Sequence, residues 1–296
     1  MILMARKKRY DVSPRQFDGQ GPIEGLVAGL RLFGIILWIL VMLPPYGLAH
    51  LTESTQVAVN RFFWKVLLRI AGISVRVRGE ACRARPLVFV SNHVSYLDIP
   101  VLGSLLPGFF VAKADVARWP AMGWLASYAR TVFIERKRAA AQGHKALLLA
   151  RLAEGQPLIV FPEGTSSDGN RVLPFKSTLF SVAEETVDGR EILVQPVAIA
   201  YTRCFGLPIG YVWRHFFAWY GGMEFGEHLW GMLHMGRLSV EVRLLPPVHL
   251  SAYGSRKALA AACEAEIREQ VRGLLSGRDE TALAPPAGLT APLPAP

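Results

Sequence analysis

Cysteine is scarce: the 296 residues hold three, Cys82, Cys204 and Cys263, far apart and without a C-x-x-C pair. An odd, scattered set excludes a disulfide framework, and with no His-rich spacing beside it there is no basis for a zinc site. A reducing compartment is the simplest home. A G-x-S-x-G elbow is missing too, so no serine stands in a nucleophile's sequence context. Acidic residues are outnumbered, 23 against 33 basic ones, for a formal net charge of +10. That surplus favours an acidic partner: anionic lipid headgroups, an acidic carrier or nucleic acid. Charge alone does not choose among them, but no nucleic-acid motif is recognisable, so nucleic acid is not expected.

The chain is rich in apolar sequence, 51% of its residues. Residues 1–22 form a basic tail containing Arg6-Lys-Lys-Arg9, with no small-residue cleavage site behind the next apolar stretch. Leu26 to Leu43 is almost wholly apolar, broken by Arg31, and is expected to stop at Pro44-Pro45, since proline cannot continue a helix. Spanning the hydrocarbon takes about 20 residues, so this segment sits at the threshold. Thr55 to Ala71 reads as a second helix, with Arg61, Lys65 and Arg69 beside an aromatic-aliphatic face. A solvated face on a packed helix is the plainer reading of that stripe. Together residues 23–72 read as a membrane-anchoring helical hairpin, monotopic or with one span. The basic cluster puts the amino terminus on the cytoplasmic side, so the expected location is a membrane's cytoplasmic face.

From residue 73 to 276 short β-branched and aromatic runs alternate with helical patterns. Strands are predicted at Ser74–Arg78, Leu87–Ser91, Phe109–Ala112, Thr131–Ile134, Leu158–Phe161, Ile192–Ala200 and Leu238–Leu245. Helices are predicted at Leu97–Leu106, Arg118–Tyr128, Arg138–Ala153, Ser177–Thr186 and Ser255–Leu275. The fold class is α/β: a single domain with a mixed, mostly parallel sheet of about seven strands covered by helices, behind the N-terminal hairpin. Residues 277–296, rich in Pro and Ala, are expected to be disordered.

In such a sheet ligands gather where strands end and helices begin, and two junctions hold unusual polar residues. One is Asn92-His-Val-Ser-Tyr-Leu-Asp98, the other Phe161-Pro-Glu-Gly-Thr165. On a regular helix a separation of five residues is roughly 140° around the axis. His93 and Asp98 can therefore meet only if His93 precedes the helix, with Ser95 capping a helix that starts at Tyr96. An aspartate on Nδ1–H holds the tautomer whose Nε2 takes a proton, which is general-base machinery. The spacing alone equally fits a structural histidine at a strand end. With no nucleophile of its own, such a base would activate a substrate hydroxyl. Gly164 and Thr165 offer backbone N–H groups, and Glu163 can anchor a polar acceptor.

Asn92-His93 to Asp98, Phe133-Ile-Glu-Arg136, Phe161-Pro-Glu-Gly-Thr165 and Val194-Gln-Pro-Val197 resemble, in order, the four blocks of the glycerolipid acyltransferase family, of the 1-acyl-glycerol-3-phosphate acyltransferase type. The resemblance implies that His93 deprotonates a lysolipid hydroxyl, that Asp98 orients it, and that the hydroxyl attacks an acyl thioester of coenzyme A or acyl carrier protein. It implies acceptor-binding roles for Lys113, Arg136, Glu163, Gly164 and Thr165, though Arg136 also belongs to a run, Arg136-Lys-Arg138, that reads as a solvated charge cluster. Oxyanion donors are expected at the helix start after Asn92. The implied reaction acylates the sn-2 hydroxyl of 1-acyl-sn-glycerol 3-phosphate on an anionic membrane, by direct transfer with neither a metal nor a cofactor.

One departure bears on the acceptor. Many phosphate-accepting members read Glu-Gly-Thr-Arg-Ser at the third block, whereas this chain reads Glu163-Gly-Thr-Ser166-Ser-Asp168. The arginine that would pair with a phosphate is a serine, which makes lyso-ornithine lipid the alternative acceptor. The aromatic run Phe216-Phe-Ala-Trp-Tyr220 with Glu227-His-Leu-Trp230 fits a membrane interface as well as a buried cluster. Rival classes are a serine hydrolase, which covalent probes would label, and a noncatalytic membrane lipid-binding protein, which would not turn over a thioester.

Overall fold

A computed structural model describes residues 21–49, 53–118, 122–134 and 141–277. Two antiparallel helices come first, α1 (Pro22–Ala49) and α2 (Glu53–Ile70). The domain then runs through β1 (Ile73–Arg78), β2 (Leu87–Ser91), α3 (Asp98–Leu105), β3 (Phe109–Lys113), α4 (Met122–Tyr128), β4 (Val132–Ile134), α5 (Ala141–Ala153) and β5 (Leu158–Val160). Next come the hairpin β6 (Thr186–Val187) and β7 (Arg190–Glu191), then β8 (Leu193–Cys204), β9 (Leu207–Pro208), α6 (Phe225–Met235), β10 (Leu238–Leu244) and α7 (Arg256–Ser276).

The main sheet runs β1-β10-β8-β2-β5-β3-β4, with β9 pairing β8. All neighbours on that path are parallel except β10 against β8. The mixed, mostly parallel α/β sheet is thus present. Central β2 is buried at all five positions, as a strand covered on both faces must be. Leu87 and Phe89 face a core shared with α2, α3 and α6. Val88 and Val90 face the opposite core, under α5 and α7.

Three local expectations are corrected. Helix α1 does not stop at Pro44-Pro45 but runs on to Ala49. Each proline removes an N–H from the ladder, and tertiary contact offsets the loss: the buried Tyr46 hydroxyl donates to Asn60 Oδ1 of α2, and Met42 and Tyr46 pack with Phe63. The segment expected as a helix from Ser177 to Thr186 is a 3₁₀ helix ending at Glu184. It gives way to the β6–β7 hairpin, whose Asp188-Gly189 turn has positive φ at both residues, 50° and 72°. Helix α6, not expected at all, occupies the second half of the aromatic run.

Candidate active site

The first junction begins where β2 runs out. Ser91 pairs Val197 of β8, and the buried Asn92 side chain extends the ladder in place of backbone. Its Nδ2 donates to Ile199 O at 3.0 Å and its Oδ1 accepts from Ile199 N at 2.9 Å. An amide side chain mimics a peptide group here, and leaves the next residues to turn out of the sheet.

That turn closes on Asp98, which is fully buried at 0% exposure. Asp98 Oδ2 accepts from His93 Nδ1 at 2.8 Å, Val94 N at 2.6 Å and Ser95 N at 3.0 Å. Its Oδ1 accepts from Tyr201 Oη at 2.6 Å. Burial beside that carboxylate pushes the Tyr201 phenol well above its ordinary range, so it stays protonated as a donor. Two expectations change. Helix α3 starts at Asp98 rather than Tyr96, and Ser95 Oγ is buried with no hydrogen-bond partner rather than serving as a cap. A carboxylate binds two amides more strongly than a hydroxyl does, and Asp98 takes that role. His93 precedes the helix, which is how residues five apart come within hydrogen-bond reach.

The second junction packs onto the first. The His93 ring stacks on Phe161 at 4.1 Å and 17°, and Phe161 on Phe110 at 6.1 Å. Ser167 N donates to His93 O at 2.8 Å, and Trp219 N donates to Val94 O at 3.0 Å. The Ser166 hydroxyl donates to Trp219 O. Glu163, expected to face the acceptor, is 2% exposed, and its Oε1 accepts from His93 N at 2.9 Å. Burial pushes its carboxyl up to about 8, against the lowering effect of the His93 N–H. Gly164 takes φ +65° and donates its N–H to Phe161 O at 3.0 Å, tightening the turn. The amides of His93, Val94 and Ser95, the region expected to hold oxyanion donors, are all committed to the side-chain carboxyl groups of Glu163 and Asp98.

The structure therefore brings His93, Asp98, Glu163 and Gly164 together, with Thr165 exposed at the rim. Lys113 ends β3, two strands from β2 on the same strand-end edge, level with Ile134. Arg136 lies outside the described residues. Sequence reasoning missed Tyr201, 103 residues from Asp98, and the contact of Tyr96 Oη with His228 Nδ1 at 3.1 Å. An imidazole fixed through Nδ1 and 21% exposed can take a proton only at Nε2.

A family model described as acyltransferase matches residues 74–200. A lyso-ornithine lipid O-acyltransferase of Brucella abortus is 42% identical over 263 residues, 86% of this chain and 98% of that protein. The chain belongs to the acyltransferase family. A 1-acyl-sn-glycerol-3-phosphate acyltransferase of Neisseria gonorrhoeae is 30% identical over 186 residues, 62% of this chain and 69% of that one. The crystal structure of the 1-acyl-sn-glycerophosphate acyltransferase of Thermotoga maritima matches the fold with a TM-score of 0.62 at 22% identity, covering 88% of this chain and 98% of that chain. In this acyltransferase the matched span holds both junctions and ends on β8, one residue short of Tyr201.

Proposed function

We propose that this acyltransferase moves an acyl chain from a thioester of coenzyme A or acyl carrier protein to the free hydroxyl of lyso-ornithine lipid. His93 Nε2 takes the hydroxyl proton as the oxygen attacks the thioester carbonyl. The tetrahedral oxyanion collapses, the C–S bond breaks, and the proton passes from His93 to the departing thiolate. Asp98 keeps the imidazole in the receptive tautomer and stabilises the imidazolium, and no acyl-enzyme is formed.

The observation that carries the acceptor assignment is Ser166. At the position where many phosphate-accepting members of the family carry arginine, this side chain is turned onto the Trp219 carbonyl. Asp168, two residues on, adds a negative charge to the same loop. The protein from Brucella abortus, matched over nearly its whole length, is named for the same acceptor. Acylation of 1-acyl-sn-glycerol 3-phosphate, the leading expectation from the motifs, becomes the second reading. It is supported by the relative from Neisseria gonorrhoeae, with Lys113 and Arg136 as its phosphate ligands.

A membrane location is supported by α1, whose stretch Pro22–Leu48 is the one helix among the described residues long and apolar enough to cross a bilayer. Ile23, Leu26, Leu30, Phe33, Leu37 and Leu40 form an exposed stripe at helical spacing. The opposite side faces protein: Arg31 Nη1 donates to Leu233 O of α6 at 2.6 Å, and Trp38 Nε1 donates to Phe63 O of α2 at 3.0 Å. The Arg31 bond, made near the middle of α1 to α6 of the domain, favours the monotopic arrangement. The test is a panel of lysolipids offered to purified enzyme with one labelled acyl thioester. Preferential acylation of lyso-ornithine lipid is expected; preference for lysophosphatidic acid overturns the assignment.

A further inference from the structure

Five large apolar side chains stand exposed within residues 205–213: Phe205 at 63%, Leu207 at 72%, Tyr211 at 64%, Val212 at 67% and Trp213 at 63%. They occupy the turn from β8 into β9, β9 itself and the loop beyond it. The pairing of β2 with β8 ends at Val197, and β8 continues to Cys204, so this tip projects past the strand ends that carry His93. The tip is built, with Cys204 pairing Leu207, Arg203 pairing Pro208, and Phe205 N donating to Arg237 O at 3.0 Å. An exposed apolar cluster of this density marks an interaction surface.

Behind the tip lies a groove of about 380 Å³, where Arg171, Arg214, Arg268 and Arg272 stand over Val271 and Leu275. Arg214 ties groove to tip: Nε donates to Ile209 O at 3.2 Å, Nη1 to Asn170 Oδ1 at 3.3 Å and Nη2 to Leu275 O at 2.9 Å. The other three each meet a carboxylate: Arg171 faces Asp168 at 4.0 Å, Arg268 bonds Glu264, and Arg272 bonds Glu269 at 2.9 Å. A guanidinium carries five N–H donors, so one such pair orients it without exhausting it.

We propose that this face is a second membrane contact, separate from α1: the 205–213 tip enters the headgroup boundary of an anionic bilayer, and the arginine groove takes a phospholipid phosphate. Aromatic and aliphatic side chains beside arginines are the composition that binds this layer. The tip is also linked to α1 through the protein. Arg237, which accepts from Phe205, has its N–H 3.1 Å from where a Cβ on Gly72 would lie, and Gly72 and Gly236 both border the Arg31 guanidinium. Two contacts instead of one fix the tilt of the domain, turning the strand-end edge toward the leaflet that holds the lysolipid. The inference rests on the membrane reading above and is independent of the acceptor headgroup.

Full-length protein is bound to phosphatidylcholine vesicles containing brominated lipid, with or without phosphatidylglycerol, and tryptophan quenching is compared between wild type and Trp213→Phe. The variant is expected to lose a discrete part of the quenching; equal quenching overturns insertion. Leu207→Asp is expected to lower turnover of vesicle-borne lysolipid by about tenfold, the scale of withdrawing one buried leucine, and to leave turnover in detergent unchanged. Normal vesicle turnover overturns the proposal. Arg268→Gln with Arg272→Gln is expected to abolish the preference for phosphatidylglycerol; a raised donor KM instead assigns the groove to the donor's phosphates and overturns the lipid assignment. Quenching needs no acceptor, so a wrong acceptor assignment leaves that test standing.

Discussion

Tyr201 Oη donates to Asp98 Oδ1 at 2.6 Å, on the carboxylate oxygen that His93 does not use. Both partners are buried, Asp98 at 0% and Tyr201 at 3%. A carboxylate removed from water is tolerated when its lone pairs are taken up, and here four donors do so. The phenol on β8 and the amides of Val94 and Ser95 hold the carboxylate still. Its remaining direction is toward His93 Nδ1.

His93→Ala and Asp98→Asn are each expected to lower turnover by about 10² to 10⁴, the usual worth of a positioned base, with an unchanged circular dichroism spectrum and unchanged vesicle binding. Near-normal turnover in either would defeat the proposed mechanism. Tyr201→Phe keeps the packing and removes one hydrogen bond to a charged group, so a loss of about tenfold is expected. It should fall on kcat rather than the acceptor KM, because Tyr201 acts through Asp98.

Glu163 sets a pH dependence of stability. Its folded-state pKa is raised to about 8 from an ordinary 4.5. Between those values the folded protein holds a proton that the unfolded chain has released. Stability from this group is therefore fully present below about 4.5, falls as pH rises, and levels off above about 8. Glu163→Gln keeps a carbonyl for the His93 N–H and has no proton to lose. Its melting temperature should decline less between about pH 5 and pH 8 than that of wild type, with activity within a few-fold; parallel curves would refute the buried protonated carboxyl.

The two strand-to-helix junctions were legible because short apolar runs bounded by Asn92 and by Pro162-Glu163-Gly164 read as buried strands ending in turns. Pairing of His93 with Asp98 was legible only as a geometric condition, a turn before the helix, which the fold meets. Tyr201 was not legible: β8 is buried over its first ten positions, and a tyrosine there reads as core. The use of the amides at 93 to 95 was hidden as well, because two side-chain carboxyl groups, one of them 70 residues away in Glu163, take them up. Local propensity misled at Pro44-Pro45, where α2 outweighs the proline penalty. In α6, histidines and aromatics obscure the 3.6-residue period.

Ser166→Arg tests acceptor choice. The substitution removes the hydroxyl that donates to Trp219 O and adds a planar cation suited to phosphate. The ratio of kcat/KM for lysophosphatidic acid over lyso-ornithine lipid should rise by about tenfold or more, the scale of a charge-assisted pair. An unchanged ratio would place acceptor selection at other residues.

Gly103 couples the hairpin to the site. A Cβ on Gly103 of α3 would lie 2.5 Å from Trp64 Cδ1 of α2, closer than atoms tolerate. The Trp64 ring cannot swing freely, since it meets the Phe63 ring edge-on at 4.7 Å, and Phe63 packs with Met42 and Tyr46 of α1. Gly103→Ala therefore forces α3 away from α2 or repacks the hairpin, at a cost of about 1 to 3 kcal/mol. Asp98 opens the same helix, so any displacement of α3 moves the carboxylate relative to His93. The expected result is a lower melting temperature together with a fall in kcat, and partial recovery of both when Trp64→Leu makes room. If Gly103→Ala costs stability and leaves kcat untouched, the hairpin and the catalytic turn are mechanically independent.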